Sequence, residues 1–166
     1  MKKYILLLFI IVASFTVKAQ NEEVTTYYLI RHAEKVRTDS SNKNPNLNEK
    51  GQIRAENWSN VFEQVNFDLI YSTNYNRTIQ TATPTALKKD LELQFYDPRN
   101  MYDDDFKSKT TGKTVLVVGH SNTTPQFVNK ILGSKKYNDI EDSNNSNLYI
   151  VTIVNSKATD TVLKIE

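Results

Sequence analysis

The apolar positions of this chain fall into two kinds of run. Short continuous stretches bounded by polar residues read as buried strands. Stretches with apolar residues three and four apart read as helices with one buried face. The strand-type runs are Tyr27-Tyr28-Leu29-Ile30, Phe67 to Thr73 and Thr114-Val115-Leu116-Val117-Val118-Gly119, while Leu91 to Tyr96 alternates apolar and polar residues and reads as a short strand. Leu148 to Val154 and Thr161 to Ile165 form a closing hairpin turned by Asn155-Ser156-Lys157. A helix is predicted from Glu49 to Val65, capped by Asn48, with Trp58, Val61, Phe62 and Val65 as its stripe. A second is capped by Asn76 and opens at Arg77, with Pro84 kinking or restarting it. Met101 to Lys109 is a weak third. The fourth starts at Thr124-Pro125, a capping hydroxyl followed by proline at the first helical position, and stops at Gly133. Thr38–Asn46, Asp97–Asn100 and Ser134–Ser146 are polar connections. Strands alternating with amphipathic helices predict an α/β fold, a mostly parallel sheet with helices on both faces.

The first nineteen residues have another character. Lys2 and Lys3 form a basic start, Ile5 to Val12 is apolar, and Val17-Lys18-Ala19 offers short residues at a cleavage position. This is the pattern of a signal peptide cut after Ala19. The alternative, a membrane anchor, needs about 20 apolar residues, so no lasting membrane insertion is expected. The expectation is export to the periplasm or beyond the cell. The remaining 20–166 suit one domain with one core. The whole chain carries 21 Lys and Arg against 19 Asp and Glu; without Lys2, Lys3 and Lys18 the balance is 18 against 19, or −1. A near-neutral surface gives no electrostatic footprint for nucleic acid. The absence of cysteine removes disulfides, thiolate catalysis and cysteine metal sites.

The candidate chemistry sits where strands end. The chain has two histidines, His32 and His120, and each directly follows a buried strand. Arg31 precedes the first, and Arg77 opens the helix after the second strand. In α/β sheets the carboxyl edge is where ligands bind. A guanidinium can pair two phosphate oxygens at once, and a helix start adds positive potential. A neutral histidine beside a clamped phosphorus can attack it. His32 would take that role, with its tautomer fixed by a hydrogen bond, and His120 would donate to oxygens whose charge grows in the transition state. A metal held by His32, His120 and a carboxylate is the competing reading, but two nearby arginines repel a cation. No metal or cofactor is expected. Asp103, Asp104 and Asp105 read as a solvated face or a helix-start cluster.

Arg31-His32-Ala33-Glu34, Leu47-Asn48-Glu49-Lys50-Gly51, Ser72-Thr73-Asn74-Tyr75-Asn76-Arg77-Thr78-Ile79-Gln80-Thr81-Ala82 and Gly119-His120-Ser121-Asn122 together resemble the histidine phosphatase superfamily, also called phosphoglycerate mutase-like. The resemblance implies a three-layer α/β/α fold and a phosphohistidine intermediate. It makes His32 the nucleophile, with Arg31, Arg77 and His120 completing a phosphate pocket and Ser121 and Glu34 beside the substrate. The chain departs from the pattern at Ala33, where glycine is common, and at Asn48, where a hydroxyl usually caps. It also departs at Ser121, where some members carry an acidic residue. The general acid is therefore open. Asp97 after the third strand is one candidate, though it can equally cap the turn before Pro98. Glu34 is the other, though it can instead pair with an arginine or orient His32. An alkoxide needs a proton on leaving and a positioned acid is worth roughly 10²–10⁴-fold; a phosphoramidate departs without one. The expected activity is thus hydrolysis of a small phosphomonoester. The alternatives are a phosphohistidine phosphatase lacking an acid and a module that binds phosphorylated ligands without turnover. A mutase is disfavoured because the chain has little from which to build a lid.

Overall fold

The computed structural model describes residues 23–166, so the expected signal peptide lies outside the described residues. The chain runs β1 (Val24–Arg31), α1 (Glu49–Val61), β2 (Leu69–Ser72), α2 (Asn76–Lys89), β3 (Leu93–Phe95), α3 (Asp104–Thr110), β4 (Thr114–Gly119), α4 (Thr123–Leu132), β5 (Asn147–Val154) and β6 (Lys157–Lys164). One six-stranded sheet has the order β3-β2-β4-β1-β5-β6. The first four strands in sequence are parallel to one another, and β5 and β6 add antiparallel. This is a mixed α/β sheet of the expected class.

Strand alternation sends neighbouring side chains to opposite faces. Tyr27 and Leu29 of β1, Val115 and Val117 of β4, and Tyr149 and Val151 of β5 pack with Phe106 of α3 and Phe127, Val128 and Ile131 of α4. Ile30, Leu116, Val118 and Leu148 pack on the other face with Trp58, Phe62, Ala82 and Ala86 from α1 and α2. The central strands are covered on both sides, which is why they read as unbroken apolar runs rather than alternating ones.

Several local expectations change. Helix α1 ends at Val61, and Val61 itself is 40% exposed while Trp58 and Phe62 are buried. Helix α2 begins one residue early: Tyr75 is its cap, and Asn76 turns its side chain to Asn44 and Asn46. Pro84 neither kinks α2 into two pieces nor restarts it. Ala82 and Ala86, on either side of it, are packed with Trp58 and Phe62, and this contact holds the turn that lacks a donor. Helix α4 begins at Thr123 after Asn122. Thr124 is not its cap; its hydroxyl donates to the carbonyl of Ile30 at 3.2 Å, tying α4 to β1. The hairpin turn is Asn155-Ser156, both at positive φ (51° and 63°), and Lys157 already belongs to β6. Positive φ at both central residues is the turn whose twist matches paired strands.

Asn48 caps α1 as expected, accepting from the Gly51 amide at 2.9 Å. Gly51 meets a tighter demand: a Cβ there would lie 2.0 Å from the carbonyl oxygen of Glu34. The start of α1 is thereby pressed on the backbone just after β1. Gly51→Ala must push these segments apart, and overpacking of this kind costs about 1–3 kcal/mol. A fall of several degrees in Tm is the expected outcome of thermal melting.

Candidate active site

The site forms where β1 and β4 end side by side. Arg31 is the register partner of Gly119, and the amide of His32 donates to the Gly119 carbonyl at 2.9 Å. After β1 the chain crosses through α1 on one face; after β4 it crosses through α4 on the other. The strand ends therefore splay apart at a topological switch point, the place where open α/β sheets hold ligands. Gly119 is needed at this crowded point, since a Cβ would sit 2.8 Å from the Thr124 hydroxyl and 2.9 Å from that of Tyr96.

His32 is 4% exposed and its ring centroid is 5.6 Å from that of His120. Its Nδ1 is 2.7 Å from the carbonyl oxygen of Ala33. A carbonyl can only accept, so Nδ1 carries the proton and Nε2 keeps its lone pair. Burial, with Arg31, His120 and Arg77 adding to it, pushes the ring down to about 3, so it is neutral at ordinary pH. The Asn145 side-chain amide donates to the His32 carbonyl at 2.8 Å, and Thr81 accepts from the Ala33 amide at 2.9 Å, which fixes the turn carrying His32.

His120 is held from both ends. Arg77 donates through Nη2 to its Nδ1 at 3.3 Å. Its Nε2 therefore bears the proton and donates to Thr73 Oγ1 at 2.9 Å, with Thr78 Oγ1 a further 2.9 Å on. Tyr75 meets the His120 ring edge to face at 5.1 Å, and the Arg77 guanidinium lies 4.7 Å above the Tyr75 ring. Burial, then Arg77, Lys35 and Arg31, push His120 down to about 4.

The arginines differ from one another. Arg31 is 2% exposed and turns Nη1 to the carbonyls of Glu141, Asp142 and Asn144, while Nη2 meets Asp142 Oδ1 at 2.9 Å. Its terminal fork thus holds the loop before β5 rather than facing outward. Buried Nε–H groups of both Arg31 and Arg77 have no partner. Unpaired buried donors are costly, and two on cationic groups that both depress the two histidines are what an anion would satisfy.

The two candidate acids are not drawn into this cluster. Asp97 sits in an exposed turn, bonded to the backbone and guanidinium of Arg99, which holds its carboxyl below the usual range. It caps the turn. Burial alone would raise the Glu34 carboxyl, but Arg54, at 2.9 and 3.0 Å, and Lys50 bring it below the ordinary value. Neither acid hydrogen-bonds a histidine. Ser121 contributes its carbonyl, which accepts from the Ile140 amide at 2.8 Å. Among the described residues no group of three or more His, Asp or Glu could hold a metal, and no helix is long and apolar enough to cross a membrane.

The structure also adds residues that periodicity did not mark: Thr73, Thr81, Asn145, Asp142 and Lys35. Thr73 and Thr81 lie inside the quoted motif. Asn145 comes from a polar connection with no periodic signal, and only its fold-back on His32 reveals it.

Residues 27–98 match the family model of the histidine phosphatase superfamily, branch 1. The stretch takes in Arg31, His32 and Arg77. No curated protein matches by sequence. The fold is similar to a phosphohistidine phosphatase SixA from Agrobacterium tumefaciens, at 20% identity and TM-score 0.62 over 85% of this chain and 99% of that one. It is similar also to YhfR of Bacillus stearothermophilus, at 15% identity and TM-score 0.66 over 86% and 98%. A phosphoglycerate mutase from Bacillus anthracis has 17% identity and TM-score 0.62 over 87% and 93%. The phosphoglycerate mutase-like fold is shared with all three.

With two histidines in the chain, their protonation can be read directly. Long-range proton–nitrogen NMR is expected to find both rings neutral at pH 6, His32 protonated on Nδ1 and His120 on Nε2. The unfolded chain titrates near 6.5, so it binds more protons than the native state below that value. Stability therefore falls as pH drops from about 6.5 through about 4 and about 3, and is flat above.

Proposed function

We propose that this protein is a histidine phosphatase that removes the phosphoryl group from a small phosphomonoester through a phosphohistidine on His32. The observation that carries the reading is the locked tautomer of His32. A buried neutral imidazole has its Nδ1–H tied to Ala33, which leaves the lone pair on Nε2, and its ring is 5.6 Å from that of His120 in a cluster where the buried Nε–H groups of Arg31 and Arg77 have no partner. A phosphate dianion satisfies those donors. His32 Nε2 then attacks phosphorus as the ester P–O bond breaks, and water later takes the phosphoryl group from nitrogen. As phosphate arrives its charge favours a second proton on His120, whose Nδ1–H replaces the Arg77 contact with a bond to an equatorial oxygen. No step requires a metal. The substrate class is that of small phosphorylated metabolites, met after export.

A second reading is favoured by the ion pairs that hold Asp97 and Glu34 ionised. An enzyme without a carboxylic acid suits a phosphohistidine or phosphoramidate, whose leaving nitrogen needs less help.

Nitrophenyl phosphate tests the shared core. Turnover unaffected by excess chelator, inhibition by vanadate, and an acid-labile, alkali-stable phosphoenzyme on quenching are expected. His32→Ala abolishes all turnover, and Arg77→Ala lowers kcat/KM by about 10²-fold or more. Tight phosphate binding with no phosphoenzyme would instead make the chain a binding module.

A further inference from the structure

Resting on the phosphatase reading, we propose that the substrates are small aryl phosphates, whose ring lies in a groove walled by Tyr75 and Phe95.

The groove has a volume of about 590 Å³, and Tyr75, Phe95, Tyr96, Asp97, Pro98 and Arg99 are among the residues that line it. Contacts tie it to the phosphate pocket. Phe95 ends β3 as the register partner of Ser72, and the Tyr96 amide donates to the Ser72 carbonyl at 3.1 Å. The next residue, Thr73, accepts from His120 Nε2 at 2.9 Å. Tyr75 follows, and its ring meets His120 edge to face at 5.1 Å with the Arg77 guanidinium 4.7 Å from its centre. One tyrosine ring is thus shared by the phosphate pocket and the groove. Tyr96 makes a second link, since its hydroxyl donates to the Val118 carbonyl at 3.5 Å, two residues before His120.

Strand order sets the direction. In the order β3-β2-β4-β1, His32 follows β1, His120 follows β4, and the groove follows β2 and β3. Nucleophile and groove therefore flank His120 on opposite sides. In-line displacement sends the leaving oxygen away from the nucleophile, toward the groove. A second cavity, lined by Glu34, Arg37, Glu141, Asp142 and Asn145, reaches the site where Asn145 bonds the His32 carbonyl. It lies on the β5 side of β1, behind the nucleophile.

Two independent features select an aromatic leaving group. Phe95 is 54% exposed and Tyr75 37% exposed, and exposed rings lining one groove suit a third ring between or across them. Asp97, the carboxylate in this lining, is paired with Arg99 at 2.9 Å and has no proton to give. A phenol ionises at about 10, far below an aliphatic alcohol, so an aryl oxide leaves without an acid. The His32 Nε2–P bond forms as the P–O bond breaks. The electron pair departs on the phenolate, which takes its proton from solvent. Water then attacks phosphorus, the N–P bond breaks, and phosphate is released as the attacking water gives a proton to solvent.

Benzylphosphonate and ethylphosphonate, which cannot be hydrolysed, separate ring binding from leaving-group chemistry when they compete with nitrophenyl phosphate. Benzylphosphonate is expected to bind about 10-fold or more tighter, and Phe95→Ser to bring the two inhibition constants within about 3-fold. Equal constants in the wild-type protein, a comparison that needs no variant to fold, would overturn the proposal. So would a preference that Phe95→Ser leaves intact, or ethyl phosphate turned over as well as phenyl phosphate. A phosphotyrosyl peptide preferred over free phosphotyrosine would overturn the assignment to small substrates. Phosphonate binding without a phosphoenzyme from phenyl phosphate would overturn the phosphatase reading beneath.

Discussion

The pairing of β1 with β4 is the constraint on which the site depends. Their ladder runs parallel up to Arg31 and Gly119, and the next amide of one strand still bonds the last carbonyl of the other. That single extra rung sets both histidines at the same height on the same edge. A slip of one residue would turn every side chain of β1 to the opposite face. It would carry Tyr27 and Leu29 out of one core and Ile30 out of the other, so the apolar layers that stabilise the sheet also enforce the spacing of the two histidines.

Above that rung the site is a buried concentration of positive charge. Arg31 and Arg77 press both imidazoles toward the neutral state, and burial does so more strongly. The site thus combines two features. It holds a free lone pair on His32, and it leaves cationic donors unmatched. Such an arrangement costs folding free energy, and an anion would satisfy it. The loop before β5 offsets part of the cost, since its carbonyls and Asp142 neutralise the outer end of Arg31.

The hydroxyl-rich start of α2 has a mechanical part. Thr78 and Thr81 bond to backbone within the helix and just before it, and Thr73 and Thr81 also reach across to His120 and Ala33. One helix start therefore aligns both histidine-bearing turns while presenting Arg77. This explains why threonines, modest helix formers, crowd a helix that must also carry Pro84.

Much of this was legible in the chain itself. Unbroken apolar runs give central parallel strands because burial on both faces leaves no polar side, and the two histidines that follow β1 and β4 mark the carboxyl edge of the sheet. Cap chemistry at Asn48 and the stop at Gly133 are local and were readable for that reason. Asn76 and Thr124 look like caps by the same local rule, yet distant partners, Asn44 and the Ile30 carbonyl, engage their side chains. The two acids show the same limit from the other side. A carboxylate after a strand is a candidate donor until its partner is seen: Arg99, two residues on, takes Asp97 within its own turn, whereas Arg54 of α1 reaches Glu34 only on folding. Sequence determined which groups could meet a phosphate, because residue type and strand order are written in it. Which of their donors remain unpaired, the Nε–H groups of Arg31 and Arg77, was decided only by packing, since the partners that engage the rest of each guanidinium arrive from other segments.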